Sequence, residues 1–443
     1  MNLLEKLRTA PYQSYTYAYP HKTAYRELAA PVELASLWAQ EDRSALFGYL
    51  HVPFCSYRCG FCNLFALGRP AADLVQAYVD RLCEQIEVLG TALDEHRFVR
   101  FALGGGTPSY LDVPQLAALF EAVHRHWNIQ LANIPAGIEV SPETATADRL
   151  RLCRDAGIDR VSMGVQSFVD SELEALVRPT QKREALAAIE VIRALQFPTL
   201  NLDLIYGIPG QSADSLSLSV RAALEFSPEE VYLYPLYVRA RTGLEQIERK
   251  RAQEDKHDLR LQLYRVAREQ LLGAGYTQVS MRMFRAPHAP DLGGPAYCCQ
   301  NDGMVGAGCG ARSYTRTLHY SDRFGVARAS VSEIIRRYAA SPRESFAQAR
   351  YGFTLDAGEQ RRRFVIQSLL VWPGLDEAAY QVRFGTTVWQ DLPHLEELID
   401  ADLARRVAGL LTLTDEGMAH ADTIGPWLVS DAVTARMESY ALA

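Results

Sequence analysis

The chain has 443 residues, a formal net charge of −7, and 48% hydrophobic against 22% charged residues. This length predicts more than one domain, and the acidic balance argues against a nucleic-acid partner, since phosphate binding needs a basic face. The first residues lack the apolar core of a signal peptide, and no apolar run approaches the ~18 residues of a membrane helix. We therefore expect a cytoplasmic protein with no membrane span, whose cysteines are reduced thiols.

Residues 1–45 are rich in tyrosine and show no strong period. This composition predicts an N-terminal arm that packs its rings on the domain that follows, and aromatic rings with polar tips are suited to covering the mouth of a pocket. The tyrosines are Tyr12, Tyr15, Tyr17, Tyr19 and Tyr25.

From residue 46 onward, six predicted strands alternate with helices. This alternation is typical of an α/β architecture with a parallel sheet, which curls into a barrel or stays open and doubly wound. Polar or glycine-rich residues follow every strand, and in both folds the carboxyl ends of the strands carry the site. The strands are predicted at 47–51, 98–103, 138–140, 160–165, 199–206 and 231–238, and the helices at 73–89, 114–127, 148–156, 172–177, 184–195 and after Ser212.

Beyond residue 245 the alternation breaks. The pattern predicts a helix at 253–273, a glycine-rich segment at 303–313, helices at 359–371 and 394–405, and a β-hairpin at 409–414. The last elements indicate a small α-rich, winged-helix-like unit. We interpret it as a domain that either packs on the rest of the protein or covers the substrate. We predict three parts: an arm (1–45), a barrel with an extension (46–325) and a C-terminal helical domain (326–443).

Three cysteines stand at CxxxCxxC spacing directly after the first strand: Cys55, Cys59 and Cys62. A [4Fe–4S] cluster held by three thiolates leaves one iron with an open coordination site. Zinc usually takes paired CxxC units or added histidines, and plain core thiols are the other alternative. The compact loop and its aromatic neighbours Phe54 and Phe61 favour the cluster, whereas Cys83 falls on the apolar stripe of a helix and is predicted to be a core residue.

Candidate ligand-binding residues follow the next strands. Glycines permit a close approach to backbone groups, and a carboxylate inside a barrel needs a partner. Carboxylates can hold ribose hydroxyls or an ammonium, while an arginine can meet a carboxylate. The pattern therefore predicts an amino acid joined to a nucleoside as the ligand. The candidates to bind it are the segment Gly104-Gly105-Gly106-Thr107-Pro108 and the side chains of Glu139, Gln166, Arg178 and Asp203.

Seven segments together carry a family resemblance. The chain resembles the radical S-adenosylmethionine (SAM) superfamily, and more narrowly the oxygen-independent coproporphyrinogen III oxidases with their haem-chaperone and methyltransferase relatives. The segments are YLHVPFCSYRCGFCNLF (49–65), LGGGTPSYL (103–111), IEVSPE (138–143), MGVQSF (163–168), NLDLIYGIPGQ (201–211), VGAGCGARS (305–313) and LLTLTDEG (410–417).

The resemblance implies a partial (β/α)6 radical SAM barrel with a C-terminal α-rich, winged-helix-like domain. It implies that the three cysteines hold the cluster and that the open iron chelates the amino and carboxylate groups of SAM. One electron, from a donor such as flavodoxin or ferredoxin, would cleave SAM to a 5′-deoxyadenosyl radical that abstracts a hydrogen from a small-molecule substrate. Tyr49 and Phe61 would line the adenine, the glycine segment would meet the methionine, and Glu139, Gln166, Arg178 and Asp203 match further SAM-contacting positions.

Two family signatures are absent. The oxidases carry a fourth cysteine just after the third, where this chain has Asn63, and the chaperones carry a His-Asn-x-x-Tyr-Trp motif, where it has Cys298 and Cys299. These two cysteines could replace the lost ligand, take part in chemistry or be thiols beside a pocket. We predict a radical SAM oxidoreductase resembling coproporphyrinogen III oxidase, which decarboxylates a tetrapyrrole oxidatively. The alternatives are a C-methyltransferase using two SAM molecules and a haem-binding chaperone.

Overall fold

The computed structural model describes residues 3–9, 12–16, 18–238, 242, 244, 258–291 and 303–440. Cys298 and Cys299, and the first residues of the helix predicted at 253–273, lie outside these ranges. The strands are β1 (Arg26–Glu33), β2 (Leu46–Val52), β3 (Phe54–Cys55), β4 (Leu67–Gly68), β5 (Phe98–Gly105), β6 (Ala136–Val140), β7 (Arg160–Gln166), β8 (Thr199–Tyr206), β9 (Glu230–Pro235), β10 (Thr277–Gln278), β11 (Met283–Arg285), β12 (Met304–Ala307), β13 (Arg312–Tyr314), β14 (Leu318–Ser321), β15 (Gln348–Thr354), β16 (Leu375–Asp376), β17 (Ala404–Val407) and β18 (Leu410–Leu413).

The helices alternate with the strands of the first half and dominate the last hundred residues. They are α1 (Leu3–Thr9), α2 (Leu34–Trp38), α3 (Ala72–Leu93), α4 (Val113–Trp127), α5 (Ala147–Ala156), α6 (Asp170–Ala175), α7 (Lys182–Ala194), α8 (Ala213–Leu224), α9 (Arg260–Gly273), α10 (Arg328–Ala339), α11 (Ala357–Leu369), α12 (Glu377–Phe384), α13 (Val388–Asp391), α14 (Glu396–Asp400), α15 (Asp415–Ala419), α16 (Ala421–Trp427) and α17 (Asp431–Glu438). Among the described residues, no helix has both the length and the apolar character needed to cross a membrane.

Six parallel strands form the centre of one large sheet. They lie side by side in chain order, β2-β5-β6-β7-β8-β9, so each crossover places the next strand beside the last one. This order is that of a singly wound (β/α)6 arc, and it confirms the predicted α/β fold with a partial barrel. Past β9 the sheet continues antiparallel through β11 and β10. On the other side of β2, β12 pairs in parallel with β2, and the sheet then continues antiparallel through β13, β14, β15 and β1.

The helices form where the sequence provides both caps and an apolar face. Helix α4 begins at Asp112, whose carboxylate accepts a hydrogen bond from the backbone N–H of Gln115, and it ends at Asn128 in the left-handed conformation. The predicted apolar stripe of α3 is buried against the sheet. Cys83 is half-buried beside this stripe and packs against the core, as the helical period predicts.

The two ends of the chain meet at one edge of the large sheet. Strand β1 pairs antiparallel with β15, with Arg26 opposite Gly352 and Val32 opposite Ala349. Strand β15 in turn pairs with β14, so the sheet includes residues on both sides of the boundaries predicted at 45 and 325. The division into three domains stays a prediction.

The C-terminal residues form a small sheet, β16-β18-β17, surrounded by short helices. The predicted hairpin is present, with β17 and β18 joined through Gly409, which has a φ of 80°. The helix predicted at 394–405 is wrong in its second half, because α14 ends at Asp400 and the chain turns at Asp402, with φ at 55°. The backbone of residues 404–407 forms strand hydrogen bonds with β18, which it could not form if the helix continued.

A buried ion pair joins this C-terminal part to the barrel. Nη2 of Arg282, before β11, lies 2.5 Å from Oδ2 of Asp422 on α16, and the two side chains are 3% and 1% exposed. The hydroxyl of Tyr237 donates a further hydrogen bond to the same carboxylate oxygen. Removing either charged partner would leave the other buried without compensation.

We predict that Asp422→Ala destabilises the protein by roughly 3–5 kcal/mol, because an uncompensated guanidinium would remain in the interior. Urea unfolding followed by circular dichroism measures this change. The matched control is Glu121→Ala, which breaks an exposed pair with Arg125 four residues along α4 and should cost under ~0.5 kcal/mol. Equal effects of the two substitutions would contradict the prediction.

Candidate functional site

The cysteine loop leaves β2 through a two-residue strand that holds the first thiol in place. Phe54 and Cys55 in β3 pair in parallel with Leu67 and Gly68 in β4. Further along the loop, the backbone N–H of Cys62 donates to the carbonyl of Cys59 at 3.2 Å. These backbone bonds fix the direction of all three thiols relative to the strand ends.

The middle of the loop is tied to the segment that follows β7 and α6. The N–H of Gly60 donates to the carbonyl of Leu176 at 3.0 Å, and the Gly60 carbonyl accepts from Leu244 at 2.9 Å. A Cβ at Gly60 would lie 2.8 Å from the side chain of Val177, so only glycine fits at this approach. Val177 itself has a φ of 52°, an uncommon conformation for a β-branched residue, and it precedes Arg178.

The three thiols share one enclosed environment. Burial raises the pKa of Cys55 to about 12 and that of Cys59 to about 11, and it also raises the pKa of Cys62. Each thiolate also disfavours ionisation of a neighbouring one. Iron bound at this point would supply the positive charge that favours the thiolates, so the donor set fits an iron–sulfur cluster.

In the described part of the chain, no trio of His, Cys, Asp or Glu side chains has the spacing that a single metal ion needs. A [4Fe–4S] cluster has a different requirement, because three thiolates bind three separate irons. His51 serves the structure instead: Nε2 lies 3.1 Å from the Phe65 carbonyl and Nδ1 lies 3.3 Å from the Tyr49 hydroxyl. Burial lowers the pKa of His51 to about 4, so the ring is neutral at physiological pH.

Two side chains donate hydrogen bonds to the sulfurs. The Thr107 hydroxyl lies 3.5 Å from Cys55 Sγ, and Nη1 of Arg178 lies 3.4 Å from Cys59 Sγ. Nη2 of Arg178 also donates to the carbonyl of Gly164 at 2.6 Å, which anchors this buried guanidinium to β7. Hydrogen bonds to ligating sulfurs help to set the reduction potential of a cluster. A contact of Arg178 with SAM stays a prediction.

The glycine segment after β5 brings its backbone against the first thiol. A Cβ at Gly106 would lie 3.0 Å from Cys55 Sγ and 2.7 Å from the carbonyl oxygen of Phe54. Gly105 has a φ of 121°, which only glycine adopts readily, and its N–H donates to Glu139 Oε2 at 3.0 Å. The close approach expected from the glycines is therefore present.

Two carboxylates face the inside of the arc. Glu139 is surrounded by protein and yet accessible to solvent, which indicates an open interior, and burial raises its pKa. Burial also raises the pKa of Asp203 to about 7, with Glu139 adding to the shift, while a 2.7 Å hydrogen bond from Asn201 opposes it. Such carboxylates favour ligands that bring hydroxyl or ammonium donors.

The remaining candidates lie around the same interior. A Cβ at Gly104 would lie 2.9 Å from the Tyr49 hydroxyl and 3.0 Å from Glu139 Oε2, so these two side chains converge there. Gln166 ends β7 with a φ of 73°, and Phe61 packs on an apolar cluster beyond the cysteine loop. Their contacts with SAM stay predictions.

Several neighbours of the site were not among the sequence candidates. The Tyr57 hydroxyl donates to Glu143 at 3.3 Å beside the cysteine loop, and Lys22 of the arm interacts electrostatically with Cys62. Tyr232 and Tyr234 in β9 share the inner face with Asp203. In the sequence, the alternation of these tyrosines with Val231 and Leu233 predicts that both lie on one face of the strand. The contacts made by the arm, in contrast, have no local sequence pattern.

Comparisons with known proteins agree with this geometry. Residues 49–222 match the model of the radical SAM superfamily. The chain is 27% identical to an oxygen-independent coproporphyrinogen III oxidase of Pseudomonas aeruginosa, over 90% of this chain and 89% of the relative. It is 36% identical to the heme chaperone HemW of Mycobacterium tuberculosis, over 48% of this chain and 55% of the relative. The solved coproporphyrinogen III oxidase from Escherichia coli covers 96% of this chain and 98% of its own, with a TM-score of 0.77 and 21% identity, and thus shares the fold.

We predict that Cys59→Ala lowers the iron content well below the ~4 atoms per chain of a complete cluster, because one of three ligands is lost. Iron analysis and visible absorption of anaerobically reconstituted protein measure this. Cys83→Ala, a thiol on α3, should leave both unchanged. Full iron content in the Cys59 variant would mean that the ligand assignment is wrong.

A second prediction concerns the glycine segment. Gly106→Ala should lower cluster content and SAM binding, because the new methyl group collides with the Phe54 carbonyl and the Cys55 sulfur. The matched control is Gly137→Ala in β6, where the nearest atom to the added Cβ is 3.7 Å away. Iron analysis and equilibrium binding of SAM compare the two reconstituted variants. Equal cluster content and equal SAM affinity in both would contradict the role of the close approach between Gly106 and Cys55.

Proposed function

We propose that this chain is a hydrogen-abstracting radical SAM enzyme, with a [4Fe–4S] cluster and SAM as its cofactors and with its site inside the arc, since residues 49–222 match the model of that superfamily. The observation that carries this proposal is the placement of Cys55 against Gly106, next to Gly105, whose N–H donates to Glu139 on the inner face that Glu139 shares with Asp203. This arrangement offers sulfur ligands to iron on one side and hydrogen-bond acceptors to a nucleoside and an amino acid on the other.

Each group on the inner face has a distinct task in this proposal. When bound, the cluster supplies the electron that cleaves SAM to methionine and a 5′-deoxyadenosyl radical. The three cysteines hold the iron, and Thr107 and Arg178 stabilise the sulfur charge through hydrogen bonds. Glu139 and Asp203 orient donors of SAM, and Gly105 and Gly106 let its methionine part approach the backbone.

The N-terminal arm covers one side of this interior. The N–H of Ser14 donates to the Asp422 carbonyl at 3.3 Å, and the ring of Tyr15 lies 3.7 Å from the guanidinium of Arg282. The Tyr12 ring packs edge-on against Tyr206 at 6.2 Å. The arm is thus held between the barrel and the C-terminal part, where it protects a reactive radical from solvent.

The substrate class we propose is a tetrapyrrole that the enzyme oxidises by decarboxylation. The supporting observation is the match to a coproporphyrinogen III oxidase along nine-tenths of both chains. A haem-binding chaperone is the second candidate, supported by the 36% identity to HemW over about half the chain. Both branch signatures are absent from this chain, and the longer match to the oxidase is what favours the enzyme.

We propose that a small acidic redox protein, such as a flavodoxin or ferredoxin, delivers the electron at the outer side of the cysteine loop. Leu64 and Val177 flank this loop and are 49% and 46% exposed, which is unusual for large apolar side chains. Arg69, one residue after β4, is also exposed, so an acidic partner can meet two apolar side chains and one arginine here.

Anaerobic incubation of the reconstituted protein with SAM, dithionite and coproporphyrinogen III tests the function. We expect 5′-deoxyadenosine, carbon dioxide and a decarboxylated tetrapyrrole, quantified by chromatography with mass detection. Tight haem binding without SAM cleavage would contradict the enzymatic function and support the haem-binding chaperone instead. Detection of S-adenosylhomocysteine together with a methylated product would show that the reaction is methyl transfer and not oxidation.

A further inference from the structure

We propose that Tyr232 and Tyr234 in β9 form a stacking platform for a heteroaromatic ring of the substrate. This inference rests on the proposed function and adds to it the part of the cavity that holds the substrate. The platform is assigned from strand register, ring geometry and charge balance.

The strand register places both rings on the inner face. Tyr232 lies opposite Asp203 and Tyr234 lies opposite Ile205 in the parallel pairing of β8 and β9. The alternating residues Val231 and Leu233 are fully buried on the other face of the sheet. The two rings therefore face the same interior as the carboxylate proposed to hold SAM, one strand further from the cysteines.

The rings are arranged like a surface that receives another ring. Their centroids are 5.9 Å apart and their planes differ by 21°, so they present nearly parallel faces. Protein surrounds both side chains, yet both remain partly accessible to solvent. Neither hydroxyl has a hydrogen-bond partner among the residues that the structure describes, so each is available to a ligand.

The charges around the platform favour contact with an uncharged ring of the ligand over contact with its carboxylate side groups. The guanidinium of Arg160 lies 6.0 Å from the Tyr232 ring, and that of Arg282 lies 6.0 Å from the Tyr234 ring. Both cations are compensated, since Arg160 pairs with Glu230 at 2.8 Å and Arg282 pairs with Asp422. The affinity of a ligand at this place would come from ring stacking and from hydrogen bonds to the two hydroxyls, and only slightly from attraction to positive charge.

The arm closes this part of the cavity with a third aromatic ring. Tyr15 covers Arg282 and interacts electrostatically with both tyrosines of β9, so it lies close to the platform. The ligand whose ring fits between these side chains is planar, heteroaromatic and able to exchange hydrogen bonds with phenol groups. Adenine of SAM is the competing occupant, although its predicted partners Tyr49 and Phe61 belong to β2 and the cysteine loop.

Fluorescence titration with coproporphyrin III as the probe, on the reconstituted full-length protein, tests the platform. Tyr234→Ala should raise the dissociation constant about tenfold, while the iron content stays unchanged and SAM affinity changes less than about twofold. Tyr234→Phe keeps the ring and should give a smaller rise. Tyr351→Ala, on β15 at the far side of the sheet, is the matched control and should leave porphyrin binding unchanged.

Three outcomes would overturn the platform: a wild-type protein that does not bind the probe, a Tyr234→Ala variant that binds it normally, or a loss confined to SAM affinity. The last outcome would assign the tyrosines to adenine. A failure of the proposed function has a different readout, because wild-type protein would then bind ligands without forming 5′-deoxyadenosine.

Discussion

The burial of three thiols at one point is the constraint on which the rest of the site depends. Thiolates in a dry environment are unfavourable without nearby positive charge, and burial accordingly raises the pKa values of these cysteines. The surrounding chain is arranged to stabilise sulfur charge once iron is bound. Arg178 and Thr107 donate to two sulfurs, and Gly106 keeps Cβ atoms away from the first one.

The parallel arc separates two tasks along one inner face. Strands β2, β5, β6, β7 and β8 present the cysteine loop, the glycine segment and two carboxylates, which together suit the cofactor pair. The next strand, β9, presents aromatic rings without a hydrogen-bonded hydroxyl in the described structure and thus suits a different ligand. Because the strands are fixed by their ladders, the side chains of these two parts of the face are positioned relative to one another by strand register.

The parallel arc could be predicted from the sequence, because each buried strand carries a strong apolar signal followed by polar or glycine residues. The cysteine spacing likewise predicted an iron–sulfur cluster, while SAM as its ligand came from the strand-end residues and the family resemblance. The pairing of β1 with β15 could not be predicted, since it joins strands more than 300 residues apart and has no local pattern. The bond between Arg178 and Cys59 depends on a loop conformation at Val177 that a β-branched residue rarely adopts.

The pairing of β1 with β15 also has a consequence for the order of assembly on the ribosome. The cysteine loop and its strands need partners from the first half of the chain and from β12, whereas the arm needs β15 and Asp422. Chains emerge from the N-terminus, so the arm must wait for the last hundred residues before it can dock. The strands that carry the cysteine loop can therefore form before the arm docks across the barrel and the C-terminal part.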